Sequence, residues 1–187
     1  MFKIIVASII FMAYMPAMAQ HRFDSANENI NLAGEEHKIL YDIRGSWRQL
    51  YEGTPFGGGT PSFGKGSAKN KIIMGGRFIE INALMDTKMI KVENITILGY
   101  DKDIRKYTIF QYDNSSTAPT FAYGNYNEKE KMLEFETQML TDYTGKEKKY
   151  RITYTFESKE KFIYELWIIQ DGKEHRLFKV VNIKLEE

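Results

Sequence analysis

The sequence predicts an all-β protein: an antiparallel up-and-down β-barrel of about ten strands, preceded by one short N-terminal helix. Three observations carry this expectation. From Trp47 onward the apolar residues recur with period two, the signature of half-buried strands. Turn chemistry punctuates those runs at intervals that suit an antiparallel meander. No second helical stretch offers a layer to cover an open sheet, so closure is the way to remove exposed edges. A two-sheet sandwich shares the same periodicity and is the competing architecture.

The first nineteen residues stand apart from this pattern. Lys3 is followed by an apolar run from Ile4 to Tyr14, then Pro16, then Ala17-Met18-Ala19 ahead of Gln20. That order is the one found in secretory signal peptides, and the run is shorter than the roughly 20 residues that span a bilayer. The expectation is an exported chain, periplasmic or secreted, cleaved near Ala19 and without a stable membrane anchor. There is no cysteine. An exported chain without disulfides holds its fold by packing alone. Without Lys3 the basic and acidic residues balance at 25 each. Nucleic-acid binders carry a basic excess, so nucleic acid is set aside as a partner.

Residues 20–34 are polar and read as a flexible lead-in. Residues 35–187 read as a single barrel domain. Ile39, Leu40 and Ile43 place one apolar stripe on a helix, Glu35 and Glu36 favour its N-terminus, and Gly45 ends it. Such a helix is too short to stand alone and must pack on something. Strands are expected near 46–52, 66–74, 77–85, 90–100, 105–112, 119–126, 132–140, 147–157, 160–170 and 173–185. Gly75-Gly76 and Asp171-Gly172 suit two-residue hairpin loops. Asp101-Lys102-Asp103, Asn127-Glu128-Lys129 and residues 142–145 suit polar turns. Tyr150, Ile152, Tyr154 and Phe156 define one buried aromatic face. Strand 160–170 is apolar on both faces, which calls for cover from the helix or from a second subunit in a homodimer.

Few stretches suggest chemistry. Gly53–Gly66 is a glycine-rich segment, read as a mobile loop, or as a lid in which Phe56 and Phe63 fold inward. Within it Gly59 to Lys65 imitates a phosphate loop, but Gly66 supplies no hydroxyl and no helix follows. His21, His37 and His175 have no metal-ligand spacing. His175 is the one candidate haem ligand, and an exposed histidine beside a turn is the favoured reading. No cofactor, metal or catalytic constellation is expected. Arg77 and Glu80 lie on opposite faces if the strand alternates strictly, so one charge is expected to be partly buried and paired. Gln111, Tyr112 and Asp113 pose the same question.

The motifs His37-Lys38-x-Leu40 leading to Gly45-x-Trp47, then Gly75-Gly76-Arg77-Phe78, then Gly99-Tyr100-Asp101, resemble the bacterial family called domain of unknown function 1579. The resemblance runs from about His37 to the C-terminus. A helix followed by Gly-x-Trp is also similar to the opening of the lipocalin and other calycin barrels. What this implies is a calycin-type barrel in which Trp47 plugs one end and a basic residue of the last strand, Arg176, Lys179 or Lys184, lies across it. It implies no activity, and no functional residues carry over.

The functional expectation is therefore a barrel that binds a small apolar or amphipathic ligand, with Trp47, Tyr51, Arg77, Glu80, Tyr100, Gln111 and Tyr154 as the candidate contacts. The second reading is a packed barrel with a structural or interaction role. The third is an enzyme using Arg77, Glu80 or Asp113.

Overall fold

Backbone pairing closes the sheet on itself. The computed structural model describes residues 32–55, 58–87, 90–141 and 144–186. A 3-10 turn, Glu35–His37, runs into α1, Lys38–Tyr41. The strands are β1 Gly45–Gly53, β2 Ser62–Ile73, β3 Phe78–Asp86, β4 Lys91–Asp101, β5 Lys106–Asp113 and β6 Thr120–Asn127. They continue with β7 Met132–Glu136, β8 Leu140–Thr141, β9 Glu147–Ser158, β10 Lys161–Gln170 and β11 Lys173–Lys184. Each strand pairs antiparallel with its sequence neighbour, apart from the short β8, and β11 returns to pair with β1. β7 and β8 share one edge of β9 and form one interrupted stave, so the barrel has 10 strands in the sense of the sequence reading. Closure decides between barrel and sandwich. The leader and most of the 20–34 lead-in lie outside the described residues, as do His21, Phe56 and two of the four residues of the 142–145 turn.

The ends of the barrel differ because their side chains differ. At one end Leu40 and Ile43, from α1 and the turn after it, are fully buried beside Trp47. The Trp47 indole donates to Ile43 O at 2.8 Å and meets Phe162 edge-on at 4.6 Å. Asn70 donates to the same carbonyl from β2 at 2.6 Å. Lys184 pairs with Trp47 in register and holds its ammonium 5.6 Å from the indole ring. Of the three basic residues expected there, Lys184 takes the place. Such a contact contributes about 0.5–2 kcal/mol. Tyr107 donates to Glu36 O at 2.8 Å and Tyr41 to Gly76 O at 3.0 Å, which fixes the helix against the rims of β3 and β5. Gly76 has φ +90, in the left-handed region that favours glycine.

Three local expectations change. β2 begins at Ser62, so the last five residues of the glycine-rich segment are strand, paired with β1 from Gly53↔Ser62 onward. The β2–β3 connection is a four-residue turn, Met74 to Arg77, because Ile73 already pairs with Phe78. The outer face of β10 is covered by arginine side chains rather than by the helix. The Arg151 guanidinium sits 4.9 Å over the Trp167 ring while bonding Glu134 and Glu174. Arg176 bridges Glu52 and Glu165 beside it. Long arginine stems cover apolar surface while their heads stay paired. By contrast Asp171-Gly172 forms the expected two-residue hairpin, both residues at positive φ.

The floor also carries a titrating group. His37 is 2 % exposed, and its Nδ1 accepts from the Gly34 amide at 3.0 Å. Burial, then the charge of Lys102, holds its pKa below the ordinary 6.5. The unfolded chain therefore takes up this proton first as pH falls. The contribution of neutral His37 is present above about pH 6.5 and is lost progressively below it. Melting temperature should drop between about pH 7.5 and pH 5 more steeply in the parent than in His37→Gln, which has no proton to gain. Thermal melts across that range check this, and parallel slopes would contradict it.

Candidate functional site

Above the floor the inward positions hold smaller and more polar side chains, and the barrel opens. The inward residues of β2 are Gly64, Gly66, Ala68 and Asn70, and those of β3 include Ile81, Ala83 and Met85. Gly66 stands opposite Gln49, and a Cβ on it would lie 2.5 Å from Leu84 O. Glycine here lets β2 approach β3 while leaving the space in front of Gln49 free. The result is a cavity of about 270 Å3. Its aromatic and aliphatic wall includes Tyr51, Tyr154, Phe162, Tyr164, Phe178 and Val180. Thr87, Ile90 and Ser115 line it from the loops at the opposite end to Trp47.

The polar groups of the lumen fall into two sets. On one side Gln49 Nε2 donates to Asn182 Oδ1 at 2.9 Å across the β1–β11 pair. Asn182 in turn donates to Val180 O at 3.3 Å. On the other side Tyr164 donates its hydroxyl to Gln111 Oε1 at 3.1 Å. Thr96 donates to Asn94 Oδ1 at 2.8 Å, and Asn94 donates to Tyr112 O at 3.0 Å. Burial pushes the Tyr164 phenol up to about 12 and that of Tyr154 well above 10, so both stay neutral. Asp113 lines the cavity next to this set and accepts from the amide and the hydroxyl of Ser115.

The seven residues singled out from the sequence are spread over three places. Tyr51, Gln111 and Tyr154 line the cavity together. Trp47 and Tyr100 lie at the closed end, Tyr100 edge-on to Tyr107 at 4.9 Å. Arg77 and Glu80 do not line the cavity. Arg77 sits in the turn before β3, where it donates to Met74 O at 2.9 Å. Glu80 faces outward on β3 and accepts from Asn82 at 2.6 Å. Asp113 alone of the three residues considered for catalysis reaches the lumen. His175 contacts Thr54 O at 3.3 Å near the open end, and Phe63 is 61 % exposed on the outer face of β2 rather than folded inward. Among the described residues no cluster of acids, histidines or cysteines could hold a metal ion. None of their helices is long and apolar enough to cross a membrane.

Gln49, Asn182, Thr96 and Tyr164 were missed as lumen residues. A signal existed for two of them. Gln49 stands between Trp47 and Tyr51, and Asn182 follows Phe178 and Val180, each at inward parity in an otherwise apolar series.

Comparison with known proteins agrees with this architecture. A family model described as "Protein of unknown function (DUF1579)" matches residues 33–184. A search of the curated proteins found no match. Among solved structures, the S-type phycobiliprotein lyase CPES from Guillardia theta aligns with a TM-score of 0.53 at 13% identity, over 81% of this chain and 93% of that one. At that identity the likeness speaks for a shared lipocalin-like fold. The chain belongs to the DUF1579 family.

Proposed function

We propose that this DUF1579 family member binds a small apolar or amphipathic molecule inside its barrel. The cavity carries the reading: about 270 Å3, aromatic and aliphatic on most sides, with a few convergent polar groups. That lining is typical of small-molecule sites, and the volume sits at their small end of roughly 300 Å3. A fold shared with a phycobiliprotein lyase agrees with it. The outer face of β10, whose apolar content suggested a homodimer contact, has cover from Arg151 and Arg176. The unit of binding in this proposal is therefore the single chain.

The protein is proposed to act outside the cytoplasm. Support comes from the leader alone: Lys3, the apolar run and Ala17-Met18-Ala19. The intact mass of the exported chain should correspond to a start at Gln20, and a mature mass that retains residues 1–19 would contradict export by cleavage.

Binding is tested with the neutral apolar dye N-phenylnaphthylamine. One saturable site with enhanced fluorescence is expected. Ala83 lines the cavity, so Ala83→Trp should fill free space and weaken dye binding at least about tenfold, with little change in melting temperature. Undiminished binding in a folded Ala83→Trp protein would place the dye elsewhere and defeat the reading.

A further inference from the structure

Resting on the ligand-binding reading, we infer that the cavity selects an amphiphile whose polar head donates hydrogen bonds and carries no negative charge, such as a primary amine or an alcohol.

Most of the donors are committed, the Gln111 amide being the exception. The Tyr164 hydroxyl is given to Gln111, the Thr96 hydroxyl to Asn94, and the Asn94 amide to Tyr112 O. The Asn182 amide is given to Val180 O, which fixes its orientation. Its Oδ1 therefore faces Gln49 and takes the proton of Gln49 Nε2. That leaves Gln49 Oε1 as a buried acceptor with no hydrogen-bond partner, on a residue only 7 % exposed. A buried amide oxygen without a donor is destabilising, and Gln49 is one of the residues that line the cavity. A ligand N–H or O–H would satisfy it.

The charges point the same way. Asp113 is the one ionisable carboxylate among the described lining residues, and no lysine, arginine or histidine is among them. A carboxylate or phosphate ligand would enter without a cation to meet it and would lie close to a like charge. An ammonium head meets an acceptor and a carboxylate instead. The two phenols stay protonated at neutral pH and add no charge of either sign. Donor-bearing heads are therefore recognised at two places, Gln49 on the floor side and Asp113 on the opposite wall, with the apolar chain against the aromatic surface between them.

The test uses three chain-matched competitors, octylamine, octanol and octanoate, displacing N-phenylnaphthylamine from the purified protein at pH 7.5. The amine and the alcohol should compete at least tenfold more strongly than the carboxylate. Asp113→Asn should shrink the amine-over-carboxylate ratio at least threefold, and circular dichroism keeps a misfolded variant from being read as a result. Octanoate competing as well as octylamine would overturn the inference while leaving the binding reading intact. Failure of the dye itself to bind would remove both.

Discussion

The architecture depends on one side chain held in place from three directions. Trp47 donates to Ile43 O, so the strand is tied to the turn that ends the helix. It packs against Phe162 from β10 and receives the Lys184 ammonium from β11. One residue thereby joins the first strand, the last strand and the only α-helix among the described residues. Deleting a buried Trp side chain costs about 3–5 kcal/mol, a large share of the stability of a single domain. That concentration matters in a chain without cysteine, where packing is the only staple.

The same plug explains why the other end can be hollow. The closed end is filled by large residues that are fully buried, among them Ile79, Leu98, Ile109, Leu133, Phe135 and Ile152. Toward the open end the inward positions of β2 shrink to Gly64 and Gly66, with Ala83 small on β3, and a cavity is left between the walls. Stability is built at one end and space is left at the other. The polar groups in that space satisfy one another almost completely, which makes the Gln49 carbonyl and Asp113 stand out chemically. A lumen whose one charged lining residue is Asp113 is proposed as a filter on ligand charge as well as a volume.

Much of this was legible in the sequence. Period-two alternation located the strands, because a barrel with a packed interior imposes one buried side on each strand. Gly45-x-Trp47 after a short apolar stripe announced the floor. What could not be read was decided by register. Ser62 to Gly66 looks like loop by composition, and becomes strand because β1 pairs with it and inward glycines clear the lumen. Arg77 seems to share a face with Ile79, yet the hairpin consumes four residues and leaves Arg77 in the turn. Strand 160–170 looked doubly buried, and its cover comes from arginines on β9 and β11 that only the fold brings alongside. The Gln49–Asn182 pair joins residues 133 positions apart, which no local pattern reveals.

The central claim is that the space above Trp47 holds a guest. Native mass spectrometry of the chain purified without detergent tests it most directly. The account predicts a population carrying one small additional mass per chain, lost on denaturation and regained when an apolar amine is supplied. A spectrum that stays at the bare chain mass under both conditions would contradict it.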